Sequence, residues 1–289
     1  MEKITTDKAE TQLEVGPPGM DLPAHSLHLE ATSIRVRQLL EDLKLKAIAN
    51  EYEASLKKMT NREWVTITSR LLAWLTTEHA SRRELQIGGK IRSARFRRIQ
   101  TVDGFDFKYS QATEKAEKGY RALYEGISKE NLPSAVFTGT AGQGKTHLAR
   151  ALGYGACQKG LSVLFIPCAE MVNRLEHAQK TFTLETELAK YRRPHVLIID
   201  ELGYVSLDTQ ASNLFFQVIS ARHDAGLGTI ATTNLPFGKF NQIFANDAIA
   251  HAIVDRLVNT AEVFFLSGDK SFREHEREQK AAKRKKQAA

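Results

Sequence analysis

Between residues 132 and 266 the chain alternates short apolar runs with longer amphipathic ones. The short runs, at 135–138, 162–166, 196–200, 229–233 and 262–266, are rich in β-branched and aromatic residues. A strand buried on both faces needs such a run. The stretches between them, 145–158, 168–190, 209–225 and 247–258, repeat apolar residues at helical spacing,. Strand and helix in turn predict an α/β domain with a parallel five-stranded sheet covered on both faces. Upstream the period is helical throughout. Val36, Leu40, Leu43, Ala47, Tyr52 and Leu56 recur at spacings of three to five, with charged residues between them. A second stripe follows a capping signal at Thr60-Asn61 and runs through Trp64, Ile67, Leu71 and Trp74 or Leu75,. Both tryptophans are assigned to core packing in preference to base stacking.

These patterns divide the chain into a leader (1–32), a small all-helical domain (33–87), a linker with a connecting helix at about 113–128 (88–131), an α/β domain (132–272) and a basic tail (273–289). The leader holds Gly16-Pro17-Pro18-Gly19 and no period; the tail ends in Lys283-Arg284-Lys285-Lys286,. No internal repeat is visible.

Composition narrows the function classes. The hydrophobic fraction of 42% supports a packed core, and the net charge of +7 favours an anionic partner, nucleic acid being the commonest,. Cys157 and Cys168 lack the paired short spacings of a zinc site and read as buried free thiols,. The polar amino terminus and the absence of a long apolar run predict a cytoplasmic protein with no membrane partner. The basic stretch Lys90, Arg92, Arg95, Arg97 and Arg98 follows Gly88-Gly89. It reads either as a hinged linker that lies on DNA phosphates or as a solvated connector. Phe105 and Phe107 are expected to dock this linker onto the next domain.

The chemistry concentrates at Gly139-Thr140-Ala141-Gly142-Gln143-Gly144-Lys145-Thr146, between an apolar run and a helical pattern that opens with His147. This is the strand–GxxxxGK[ST]–helix arrangement of a phosphate-binding loop. Its glycines let successive N–H groups point inward at phosphates, Lys145 adds a cation and the Thr146 hydroxyl is suited to Mg²⁺. Fifty-five positions after Lys145, the run 196–199 ends in Asp200-Glu201. Asp200 is expected to face the Mg²⁺ shell and Glu201 to act as general base toward water. Asn234 ends the run 229–233 and reads either as a γ-phosphate contact or as a turn former before Leu235-Pro236. Arg256 closes the stretch 247–258; it either satisfies a helix end or reaches the ATP of a neighbouring subunit. No HExxH pattern and no guanine-reading Asn-Lys-x-Asp motif is present. His147 is expected to pack or hydrogen-bond.

Taken together, the segments 144–149, 197–208, 213–222, 232–237 and 255–257, with 44–53 and 92–98 upstream, resemble the IstB family of AAA+ ATPases. These are transposition helpers of IstA/IstB-type insertion sequences; the likeness to DnaC-type helicase loaders is more distant. The resemblance implies ATP and Mg²⁺ as cofactors, Asn234 as sensor 1 and Arg256 as arginine finger. It also implies an ATP- and DNA-dependent homo-oligomer on duplex DNA that assists an IstA-type transposase. Where family members often carry prolines after the first loop glycine, Thr140-Ala141 stand here; backbone cradling does not require proline. Arg273 is the candidate for a sensor-2 arginine. A helicase loader, and a DNA-binding adaptor with ATP as a structural ligand, are the alternatives.

Overall fold

The computed structural model describes residues 24–268 and 271–272. The tail 273–289, Arg273 and most of the leader lie outside the described residues. The chain forms two compact units, 1–83 and 84–289.

In the first unit, α1 (Ala24–Asp42), α2 (Lys46–Leu56) and the opening turns of α3 (Asn61–Ser93) enclose Val36, Leu39, Leu40, Leu43, Tyr52 and Leu75. The start of α3 is fixed by a capping box: the Thr60 hydroxyl accepts from the Glu63 N–H, and Glu63 accepts from the Thr60 N–H at 3.0 Å. Such a reciprocal pair is worth about 1 kcal/mol. Within the unit, Tyr52 OH lies 2.8 Å from Ser33 Oγ and 3.1 Å from Thr68 Oγ1, while Trp64 Nε1 donates to Ser33. The register of α3 buries Leu75 and leaves Trp74 exposed, so the core role predicted for Trp74 is corrected. A second correction concerns Gly88-Gly89. Instead of a hinge, both glycines lie inside α3, which continues to Ser93.

In the second unit, β1 (Ala135–Thr138), β2 (Val163–Pro167), β3 (Val196–Leu202), β4 (Gly228–Thr233) and β5 (Glu262–Phe265) form a parallel sheet in the order β2-β3-β4-β1-β5. Alternate residues face opposite ways. Val136, Leu164, Ile166, Leu197 and Ile199 join one core with α6 (Cys168–Lys180), α7 (Leu184–Arg192), α8 (Thr209–Asp224) and α9 (Asp247–Val258). Ala135, Phe137, Val163, Phe165, Val196 and Ile198 join the other, with α4 (Gln111–Glu125) and α5 (Lys145–Gln158). The single helix predicted over 168–190 is two. The chain breaks at Phe182, whose φ of 58° is left-handed, and the Thr183 N–H returns to the Ala178 carbonyl.

The basic segment after α3 folds onto this unit. The Ala94 carbonyl accepts from the Phe165 N–H at 2.8 Å, which closes the outer edge of β2. Phe105 and Phe107 are buried, and their rings lie 4.8 Å apart. The docking predicted for them is observed.

Candidate nucleotide site

An open parallel sheet offers its ligand crevice at the carboxyl ends of the strands, where the strand order switches direction. Here a cleft of about 590 Å³ lies there, over the ends of β1, β3 and β4. It is lined by residues 141–147, Asp200, Glu201, Thr232, Thr233 and Asn234.

The loop between β1 and α5 owes its shape to glycine at two decisive places. Gly139 has a φ of 141°, and a Cβ there would sit 1.8 Å from the Leu266 carbonyl oxygen. Gly144 has a φ of 81°, and a Cβ there would strike the Phe105 ring. Both positions therefore exclude any side chain. Elements from both flanks grip the outer side of the loop. Tyr109 OH donates to the Gln143 carbonyl at 2.9 Å, Gln143 Nε2 donates to the Gly268 carbonyl at 3.2 Å, and the Phe272 N–H donates to the Gly142 carbonyl at 2.7 Å. Phe105 stacks on Phe272 at 5.0 Å. His147 does pack and hydrogen-bond: its Nε2 lies 2.9 Å from the Thr101 carbonyl and its ring meets Phe105.

Lys145 is buried, and Nζ donates to the Gly139 and Thr140 carbonyls at 2.8 and 2.6 Å. Desolvation pushes its pKa down to about 8 against the opposing pull of Asp200,. The Thr146 hydroxyl donates to Asp200 Oδ1 at 2.8 Å, joining the loop to the end of β3. A hydroxyl oxygen and a carboxylate at that separation suit Mg²⁺, which takes hard oxygen ligands and few of them from protein. Thr146 and Asp200 would hold it.

Beyond Asp200 the ladder changes. Ile199 pairs with Ala231 and Leu202 pairs with Thr233, so Asp200 and Glu201 together face the single residue Thr232. This is a bulge, rare in parallel sheets. It places Glu201 at a φ of 62°, a left-handed backbone that costs about 1–2 kcal/mol for a residue with a Cβ,. Its side chain is exposed in the cleft while Asp200 is buried. Asn234 follows β4, which neighbours β1, and reaches the same cleft.

The arginines of the sequence reading sit in different surroundings. Arg92, Arg95, Arg97 and Arg98, read as a DNA-binding linker or a solvated connector, are all exposed, and Arg97 and Arg98 also line the nucleotide cleft. Arg256 is not brought to the cleft in this protomer; its guanidinium lies 4.9 Å from the Phe216 ring and Nη1 donates to the Ala252 carbonyl. Arg150 was missed. It lies one helical turn beyond Thr146, over the Phe165 ring at 4.5 Å and 3.9 Å from Asp200 Oδ2. The spacing of four from Thr146 carried that signal. Thr232 was missed as well, because no period or motif marks a residue opposite a bulge.

A family model described as IstB-like ATP binding protein matches residues 38–280. The chain belongs to this family. A protein of insertion sequence IS232 from Bacillus thuringiensis subsp. berliner, named for ATP binding, is 33% identical over 79% of this chain and 90% of its own length. Its counterpart in IS5376 of Geobacillus stearothermophilus is 30% identical over 88% and 99%. Among solved structures, the DnaC helicase loader matches 57% of this chain and 96% of its own, with a TM-score of 0.52 at 22% identity. At that identity the likeness speaks for the fold alone.

Proposed function

We propose that this IstB-like protein is a Mg²⁺-dependent ATPase that assembles on duplex DNA and assists an IstA-type transposase. The observation that carries the reading is the convergence of Lys145, Thr146, Asp200, Glu201 and Asn234 on one cleft, with Thr146 bonded directly to Asp200. The insertion-sequence context of the relatives supports the choice of partner.

In this reading the loop 139–146 receives the triphosphate on its inward N–H groups and on the positive end of α5. Lys145 exchanges two carbonyl partners for phosphate oxygens. A Mg²⁺ ion held by Thr146 and Asp200 would supply charge neutralisation across the β- and γ-phosphates. Glu201 accepts a proton from water as its oxygen attacks the γ-phosphorus; the bond from that phosphorus to the β–γ bridging oxygen breaks, leaving ADP and phosphate. Asn234 orients the γ-phosphate. Arg256 acts in trans on a neighbouring subunit's site, and Arg92 and Arg95 contribute to the DNA-facing charge.

The test is steady-state ATP hydrolysis, with and without duplex DNA, alongside nucleotide binding. Lys145→Ala should lose both. Glu201→Gln should bind ATP but turn over at least about 100-fold more slowly. Undiminished hydrolysis in both variants overturns the site. Arg256→Ala should bind ATP normally and lose only the hydrolysis gained on assembly. Glu201→Gln that supports transposition fully would favour an adaptor in which ATP is structural.

A further inference from the structure

The bulge at the end of β3 creates a problem that one hydroxyl solves. Two residues, Asp200 and Glu201, stand opposite one, so the regular ladder is interrupted there,. The Glu201 N–H instead donates to Thr232 Oγ1 at 2.9 Å. The same hydroxyl spends its own proton on Asp200 Oδ1 at 2.6 Å. Thr232 is only 2% exposed, and the low local dielectric strengthens both bonds,. Asp200 Oδ1 thus accepts from two threonines, Thr146 on the phosphate-loop side and Thr232 on the sheet side.

We propose that Thr232 is the positioning residue of this site, its hydroxyl setting the metal-facing carboxylate of Asp200 and the left-handed backbone of Glu201 at once. The inference rests on the hydrolytic reading above and deepens it. A single oxygen links the two acids, so the spacing between the Mg²⁺-facing group and the proton acceptor is locked to one atom. A methyl in its place takes the acceptor from the Glu201 N–H and leaves Asp200 Oδ1 with the Thr146 hydroxyl alone of its two threonine donors,. The left-handed conformation at Glu201 then loses the one side-chain bond that holds its N–H, and the carboxylate swings away from the line of attack. Both bonds of the Thr232 hydroxyl go to the two acids, and it acts through them.

Valine matches threonine in volume and lacks the hydroxyl; serine keeps the hydroxyl and drops the methyl. Thr232→Val should lower kcat about 10- to 100-fold, the range typical of groups that orient metal-facing ligands, with ATP affinity within about threefold of wild type. Thr232→Ser should recover most of kcat. Equal impairment of both variants, or loss of affinity with kcat intact, would mean that the side chain merely fills space, and the proposal fails. Crystal structures of wild type and Thr232→Val provide a second readout that needs no turnover. Glu201 should relax to negative φ and Asp200 should leave Thr146. A variant that keeps φ near +60° with Asp200 in place overturns the proposal whatever its rate. If wild type itself does not hydrolyse ATP, the hydrolytic reading fails separately, and the crystal structures alone decide the role of Thr232. Should valine not fold, Thr232→Ala serves in both measurements.

Discussion

Lys145 carries two opposing demands. Its ammonium must be charged to meet a triphosphate, yet its burial in the loop pushes the pKa down to about 8 in the nucleotide-free protein. A bound anion favours the charged form and raises that pKa. Affinity is therefore complete below about pH 8 and is lost as pH rises through that value toward the bound-state pKa, by up to about tenfold per unit. Titration with a fluorescent ATP analogue between about pH 7 and pH 9.5 should show this break. Lys145→Arg, weaker in absolute affinity because its planar fork fits differently, should show none in that window. A flat wild-type profile would mean that the ammonium stays charged in the free loop.

Among the elements, α8 is joined to the sheet by one residue more than by any cap. Arg222 is fully buried, and its guanidinium donates to the carbonyls of Tyr191, Pro194, His195 and Gly228 and to Thr229 Oγ1. Burial pushes its pKa down to about 9, so it remains charged at neutral pH. These partners come from the end of α7, the entry to β3 and the start of β4. One side chain thus ties together the amino-terminal ends of the strands whose far ends carry Asp200 and Asn234. Arg222→Met keeps the volume but strands several buried carbonyls, and should cost about 3–5 kcal/mol. Denaturant unfolding reads this as a lower midpoint at unchanged slope. A loss under about 1 kcal/mol would mean that water enters to replace the guanidinium.

At the scale of the whole molecule the question is where the positive charge works. All four arginines of the basic segment are exposed, and two of them, Arg97 and Arg98, also line the cleft, whereas Arg92 and Arg95 lie outside it. DNA affinity falls with salt at a slope of about −0.9 per phosphate neutralised. Replacing Arg92 and Arg95 with alanine should flatten that slope by about one to two units. Replacing Arg97 and Arg98 should leave it and weaken ATP binding instead. Fluorescence anisotropy on labelled duplex across a salt series measures the first, and nucleotide titration the second. The reverse pattern would place the DNA track across the cleft.

The strands, the glycine loop and the acids at 200–201 were legible because each is a local pattern. A doubly buried strand shows as an apolar run, and a phosphate loop needs glycine at fixed spacing where φ is positive, as at Gly142 and Gly144,. The sequence by itself therefore determined the α/β architecture and the candidate Lys145, Thr146, Asp200 and Glu201. Only the tertiary structure decided which side chains surround them. Gly88-Gly89 stayed helical where a hinge was expected, Arg97 and Arg98 turned to the cleft, and Arg256 settled over Phe216. Thr232 gained its two bonds from a bulge that exists only once β3 and β4 are paired. Register between strands distant in sequence is a property of the packed sheet, and no local run of residues encodes it.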